Sequence, residues 1–367
     1  MKTTIVTTTI NIPILLVKYA ENARRHGHQD LDFVVVGDRK SPAGTADFCR
    51  SIPYYPCVYL DIPAQREYLS RFPELWSHLR FDSVQRRNIG TLLAYERGAH
   101  VVITIDDDNF VMDSDFVGLH GVAGSVREWP TYRSTSGWFN VCSFLEADHG
   151  VEFYHRGYPR KMRWNEESHS VTCSVGARRV AANAGLWLDD PDIDALTRME
   201  RRLVVRGFNR KWPGGNIALH PGTWSPFDSQ NTALMRDAIP AYFLSPYTGR
   251  YDDIWGSYVL TRIAEYFGDV VSFGEPVVRQ TRNPHDLWRD LDVERNGMIL
   301  TDDFCAALRS IPLAGATYHA CFGEIAAALP AAWAEGPDWT GSQKEWRAKL
   351  LEGMTIWHSI FEKLGAG

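Results

Sequence analysis

The sequence is sparing with cysteine and has no Cys-x-x-Cys pair: Cys49, Cys57, Cys142, Cys173, Cys305 and Cys321 are scattered over 367 residues. That spacing argues against a disulfide framework and against a zinc centre, and implies reduced, mostly packed thiols. No run reaches the roughly 18 apolar residues that a membrane-spanning helix needs, and the first nine residues lack the apolar core of a signal peptide. The expectation is a cytoplasmic protein with no membrane span. Basic residues form no stripe, and 39 Lys and Arg against 45 Asp and Glu give a formal charge of −6, so nucleic acid is not an expected partner. The 44% hydrophobic content is ordinary for a globular α/β chain of this length. Aromatics reach 12%, more than a core requires, although surplus rings often mean only a large interior.

What is present begins with Val101-Val102-Ile103-Thr104-Ile105-Asp106-Asp107-Asp108, an apolar run that ends in three carboxylates. Five β-prone residues bounded by polar ones read as a buried parallel strand, and ligands of open α/β sheets gather beyond such strand ends. Three adjacent Asp there repel one another and lose solvation, which a bound cation relieves. A set of oxygen ligands suits Mn²⁺ or Mg²⁺ better than Zn²⁺, with substrate phosphates completing the shell, and this points to a nucleotide-bearing substrate. A solvated acidic turn is the alternative.

Upstream, residues 5–9 read as a first strand, followed by a helix with Asn11 as N-cap and Pro13 in its first turn, then a second strand at residues 33–36. This β-α-β unit places Asp38 at the same sheet edge, as a base or ribose contact or as an Asx turn. Residues 41–82 read as loop-dominated apart from a strand at residues 57–60. A helix is expected over residues 83–97, with Arg86 and Arg87 in its first turn, where cations oppose the helix dipole unless they meet an anion. Arg87 is the candidate phosphate ligand, and two solvated arginines are the alternative.

Downstream, residues 131–140 read as a substrate loop. Arg156, followed by Arg160, Lys161 and Arg163, forms either a pyrophosphate clamp or a plain surface cluster. Residues 189–194 read as an acidic turn and not as a second metal site. Asp252 and Asp253 open an amphipathic helix, where Asp253 caps it or the pair supplies a general base. Gln280 and His285 are candidate metal ligands in a polar stretch, and residues from about 302 onward read as helical packing.

Four blocks resemble the reversibly glycosylated polypeptides, the plant UDP-arabinopyranose mutases. They are Ile105-Asp106-Asp107-Asp108; Arg156-Gly157-Tyr158-Pro159 followed by Arg163; Gly185-Leu186-Trp187-Leu188 with Pro191-Asp192-Ile193-Asp194-Ala195; and Gly249-Arg250-Tyr251-Asp252-Asp253-Ile254-Trp255. Residues 85–90, the Gly37-Asp38-Arg39-Lys40-Ser41-Pro42 turn and Arg282-Asn283-Pro284-His285 are more similar to STELLO-type glycosyltransferases. The resemblance spans about residues 3–290 and implies an α/β, GT-A (Rossmann-like) nucleotide-sugar fold. It makes Asp106 and Asp108 a DxD pair for Mn²⁺ or Mg²⁺, Asp107 a ribose contact, Arg156 the arginine glycosylated in the mutases, and Arg163 that motif's second arginine. Where the mutases carry a Tyr-His before Asn-Pro and use that His on the metal, this chain has Arg279-Gln280. The role is left to Gln280, to His285, or to neither.

The expected organisation is a catalytic domain over residues 1–300, with a nucleotide-binding part at about 1–115 and an acceptor part at about 116–300, then a helical extension over 301–367. The expected function is a metal-dependent glycosyltransferase that moves sugar from a nucleotide sugar, taken as a UDP-sugar, to a small-molecule or glycan acceptor. Arg156 and Arg87 would stabilise charge, and Asp252 or Asp253 would act as base. The alternatives are a UDP-sugar pyranose/furanose mutase with self-glycosylation and a noncatalytic sugar-nucleotide or glycan-binding protein. A homo-oligomer is left open.

Overall fold

The computed structural model of the protein describes residues 1–165, 167 and 171–365. Apolar, β-branched runs build four parallel strands: β1 (Thr3–Thr9), β2 (Leu31–Gly37), β3 (Cys57–Leu60) and β4 (Val101–Ile105), side by side in the order β3-β2-β1-β4. β2 and β4 are buried at every residue. That is the property of parallel strands covered on both faces by crossover helices, here Leu15–Arg25 and Arg87–Glu96. The second half adds β5 (Asn109–Val111), β6 (Val126–Ser134), β7 (Leu145–Ala147), β8 (Val171–Asp189), β9 (Val205–Phe208), β10 (Asn216–Leu219), β11 (Asn231–Met235) and β12 (Val270–Gln280). The sheet continues β4-β11-β8-β6-β10-β12-β5, with β11 antiparallel to both β4 and β8. The class is therefore α/β, Rossmann-like in its first half and mixed in its second.

Topology places the acidic turn. β4 ends at Ile105, the chain turns through Asp106–Asp108, and β5 then pairs with the last residues of β12, setting Gln280 opposite Asn109. On its other flank β11 arrives antiparallel, and the backbone of Asp106 donates to the carbonyl of Gln230 at 3.2 Å.

The C-terminal helices Leu287–Ser310, Tyr318–Ala332 and Gly341–Lys363 pack into the same core. Trp255 stacks on Phe304 with ring centres 4.4 Å apart and meets Trp333 edge-on at 5.5 Å, while Phe243 and Tyr95 contact Trp357 and Phe361. The Leu287–Ser310 helix runs across residue 301, so the division drawn there from sequence falls within one helix. Among the described residues no helix is long and apolar enough to cross a membrane.

Three local expectations change. Residues 41–82 contain the short helices Thr45–Arg50, Ile62–Tyr68 and Pro73–His78, each too short to display a helical period in sequence. Asn11 does not cap the first helix, which begins at Leu15 without a side-chain cap, because the Asn11 amide is turned toward Asp107. Residues 131–140 continue β6 to Ser134 and then bury Trp138 and Phe139 in the core, so they do not form a substrate loop at the acidic turn.

Gly90 shows how tightly helix and sheet meet. A Cβ there would stand 2.6 Å from Val6 and 2.9 Å from Val36, on β-branched side chains of two core strands. Helix propensity alone favours Gly→Ala by about 1 kcal/mol, but overpacking a filled core costs about 1–3 kcal/mol. Gly90→Ala is expected to lower stability by about 1 kcal/mol or more in urea unfolding followed by circular dichroism; an unchanged or raised midpoint contradicts this packing.

Candidate active site

Two cavities meet at the acidic turn. One, of about 220 Å³, opens over the ends of β1 and β2 and is lined by Thr9, Asp38, Ser83, Arg86 and Asp107. The other, of about 230 Å³, lies between the turn, the end of β12 and the start of the Asp252–Phe267 helix, and is lined by Arg156, Asp192, Asp252, Asp253, Gln280 and His285. Val84, Asp106 and Asp108 line both.

The three acids do not converge. Asp106 accepts a hydrogen bond from the Arg87 guanidinium, which is only 1% exposed and also donates to the carbonyl and hydroxyl of Ser229 at 2.8 and 2.7 Å. Burial works against the Arg87 charge, but Asp106 and the more distant Asp253 and Asp252 outweigh it and raise its pKa. The anion that Arg87 meets in this structure is thus Asp106. Asp107 turns the other way and accepts from Thr9 (2.8 Å) and Asn11 (3.4 Å). Asp108 is left frustrated: its Oδ1 is buried with no hydrogen-bond partner among the described residues. Burial first, then the charges of Asp106 and Asp107, push its pKa up to about 7.

Gln280 completes this corner. Its pairing with Asn109, and the bond from the Thr281 amide to the Asp108 carbonyl (3.2 Å), fix it beside the turn. Its buried Oε1 also has no partner among the described residues. Asp106, Asp108 and Gln280 line one cavity with oxygen atoms, the donor type that suits Mn²⁺ or Mg²⁺, although Asp106 is also paired with Arg87. His285 stands at the rim, its side chain 31% exposed and its Nδ1 3.0 Å from Asp290.

The opposite wall is a buried charge network. Arg156 donates bidentately to Asp192 (Nε to Oδ1, 2.9 Å; Nη2 to Oδ2, 2.8 Å), and its Nη1 reaches Asp253 at 3.3 Å. Burial opposes the charge on both partners, yet Asp192 and Asp253 hold Arg156 well above its ordinary pKa, and Arg156 and His155 hold Asp192 well below the carboxylate range. His155 reaches Asp228 at 3.2 Å, and Asp228 also accepts from the Trp187 indole at 3.2 Å. His155, Asp192 and Asp228 offer ligand atoms within 4.8 Å of one another. Both oxygens of Asp192 are nonetheless taken by Arg156, whose charge opposes a cation there, so this group reads as an internal ion network.

Asp253 accepts from the Ser229 amide (3.0 Å) and hydroxyl (3.2 Å), the Ile254 amide (2.9 Å) and Arg156. Asp252 accepts from Gln85 at 2.8 Å, and burial, then the neighbouring Asp253 charge, push its pKa up to about 7. Asp252 is thereby poised to exchange a proton near neutrality.

Two assigned residues lie differently from their neighbours in sequence. Arg163 bonds to Asp194 at 2.6 Å, rests against the Tyr154 ring and lines neither cavity. Asp38 makes no Asx turn: its carboxylate accepts from the adjacent Arg39 amide (2.8 Å) and from the distant Ser83 amide (3.2 Å), and it lines the first cavity. Sequence reading missed Asp228, Ser229 and Gln230, which reach the site only through the antiparallel pairing of β11. It also reads Asp192 as part of a turn, because four acids in six residues hide the two that are buried, Asp192 and Asp194; their arginine partners, Arg156 and Arg163, are the signal available.

The pattern of the family described as reversibly glycosylated polypeptide matches residues 68–365. UDP-arabinopyranose mutase 3 of Arabidopsis thaliana is 26% identical over 276 residues, covering 72% of this chain and 68% of its own. UDP-arabinopyranose mutase 1 of Oryza sativa subsp. japonica is 26% identical over 274 residues, with the same shares. Among solved structures, glucosyl-3-phosphoglycerate synthase from Mycobacterium tuberculosis, in complex with Mn²⁺ and UDP-glucose, is 10% identical with a TM-score of 0.42, covering 86% of this chain and 81% of that one. A mycobacterial protein is 11% identical with a TM-score of 0.45, covering 86% and 76%. With the matched pattern spanning most of the chain, including the acidic turn, Arg156 and the Asp252–Asp253 pair, this protein belongs to the reversibly glycosylated polypeptide family.

Proposed function

We propose that the chain is a Mn²⁺- or Mg²⁺-dependent glycosyltransferase with a UDP-sugar as donor. The observation that carries this reading is that Asp106 and Asp108 form the wall shared by two cavities, so a diphosphate crossing that wall has a nucleoside on one side and a sugar on the other. Asp38 and Asp107 offer oxygens to a ribose or base on the first side. The orphaned oxygens of Asp108 and Gln280, with Asp106, would hold the ion, with His285 at the rim as the remaining candidate ligand. When bound there, the cation supplies Lewis-acid stabilisation of the leaving diphosphate.

On the second side, Arg156 presents a fixed positive charge where the glycosyl–diphosphate bond breaks, its orientation set by Asp192. Asp252 takes the proton of an acceptor hydroxyl as that oxygen bonds to the anomeric carbon and the diphosphate departs. Asp253, with both oxygens engaged, positions Arg156 and Ser229 instead of acting as base.

The names of the relatives favour a second reading, a UDP-sugar mutase that cleaves the same bond and returns the sugar to the diphosphate in another ring form. A covalent step through Arg156 needs a neutral guanidine, and a buried guanidinium paired with two carboxylates is held in the charged, non-nucleophilic form. That supports transfer over self-glycosylation. In the third reading, a noncatalytic binder, no UDP is released with or without an acceptor.

Asp108 gives a test that needs no activity. Its pKa is about 7 in the fold and about 3.9 in an unfolded chain. The folded state therefore holds a proton that the unfolded state releases, and stability falls as pH rises from about 4 to about 7. Without metal, Asp108→Asn is expected to unfold at a higher temperature than the parent at about pH 8, with the gap closing near pH 4. Added Mn²⁺ should stabilise the parent and not the variant. A variant less stable without metal, or equal Mn²⁺ effects, would remove Asp108 from the metal site.

Asp252→Asn should cut turnover by roughly 10²–10⁴-fold while leaving calorimetric UDP-sugar affinity unchanged. In the parent, kcat/KM should rise through about pH 7 as the base loses its proton. A change in donor affinity alone refutes the assignment.

For Arg156, incubation with UDP-sugars and Mn²⁺ followed by peptide mass spectrometry should find no adduct. Arg156→Ala should lose turnover and about 3–5 kcal/mol of stability by stranding Asp192, and Arg156→Lys should recover part of both. An adduct that forms and decays at the rate of turnover would establish the mutase reading.

A further inference from the structure

Beyond Gln280, Arg282 and His285 the catalytic cavity continues into a larger groove of about 890 Å³, bounded by the end of β8, the start of the segment after β12 and residues 198–206. Its lining carries five arginines against two aspartates. Both aspartates are already neutralised: Asp189 accepts twice from Arg279 (3.0 and 2.9 Å), and Asp190 is paired with Arg198. Arg206 is bound to Asp148 at 2.8 Å and Arg201 to Glu200 at 3.2 Å.

Two cations are left over. Arg202 has no ion pair among the described residues. Arg282 is 9% exposed, its Nε is buried without a partner among the described residues, and its nearest carboxylate, Asp290, stands 3.8 Å away and is held more closely by His285 at 3.0 Å. A buried guanidinium with so weak an anion is costly, and its planar fork is matched to a phosphate or carboxylate.

We infer that the groove seats an anionic acceptor, a small hydroxylated molecule whose phosphate or carboxylate meets Arg282 and Arg202 while its hydroxyl enters the cavity at Asp252. The inference rests on the transferase reading and names its acceptor class. Arg282 lines both spaces and could instead serve the donor diphosphate, whereas Arg202 lines only the groove, so the two roles separate experimentally.

The test is calorimetry on the full chain with Mg²⁺ and saturating UDP, titrated in turn with inorganic phosphate, glucose 6-phosphate, glucuronate and glucose. Inorganic phosphate, and one of the two anionic sugars, should bind while glucose does not, the tighter sugar telling phosphate from carboxylate. Arg202→Gln should weaken the anions by roughly tenfold and leave UDP affinity unchanged, with Arg202→Lys restoring part of the loss. Anions that bind no better than glucose to the UDP-loaded protein overturn the inference and leave the donor site standing. So does Arg202→Gln without effect, or Arg282→Lys weakening UDP and not the anions. Failure of UDP itself to bind with Mg²⁺ removes the transferase reading, and this inference with it.

Discussion

Ser229 joins two ion pairs whose arginines are both buried, Arg87–Asp106 and Arg156–Asp253. Its carbonyl and hydroxyl accept from Arg87, and its amide and hydroxyl donate to Asp253. Through it a chain of alternating charge runs from Asp106 to Arg87, across Ser229 to Asp253, then to Arg156 and Asp192, with His155 and Asp228 closing the end. Buried charges are tolerable when paired and hydrogen-bonded, and removing one member strands its neighbour. The network fixes the acidic turn and the Asp252–Asp253 helix start in one rigid frame, because the segment leading into β11 carries Ser229 between them.

That frame explains which acids remain available for chemistry. Asp106, Asp192 and Asp253 are satisfied by arginines, and their roles are to hold and to orient. Asp252 is buried and Asp108 half-buried with its Oδ1 unpaired, no cation is bonded to either, and burial followed by the charge of neighbouring carboxylates pushes both toward neutrality. Groups left under-compensated in a cleft, while every neighbour is paired, are candidates for function. In the proposed reading one lies on the diphosphate side and the other on the acceptor side, the division of labour that glycosyl transfer needs.

The legible part of the sequence was its local part. The run 101–105 betrayed a parallel strand because burial on both faces leaves it wholly apolar, and the acids at its tip marked the sheet edge. Asp252 and Asp253 could be seen at a helix start, and the four blocks of resemblance gave the order of the site and the family that the chain belongs to. What could not be read was anything fixed by long-range pairing. Arg87 looked like a phosphate ligand because its partner Asp106 is 19 positions away and its other partner, Ser229, is 142 away. Asp192 looked like turn because the arginine that buries it lies 36 residues upstream. The short helices between 45 and 78 span too few turns to leave a period.

By the resemblance, Gln280 stands next to the place where the mutases carry a metal-binding histidine, and for the proposed metal site the physical consequence is specific. An amide oxygen in place of an imidazole would make the donor set purely oxygen, would move preference from softer ions toward Mg²⁺ and Mn²⁺ and would remove a titrating ligand from the shell. The same β12 end that presents Gln280 leads two residues later to Arg282, whose guanidinium faces both the catalytic cavity and the arginine-lined groove. A mutase has no use for a cationic groove beyond the sugar, since nothing but the nucleotide sugar has to enter. A transferase does, because an acceptor must be held with its hydroxyl toward Asp252 while its remainder lies outside the donor cavity. The groove and the frozen Arg156 therefore both support the proposed reading, in which the sugar leaves the diphosphate for a second molecule and not for the protein itself.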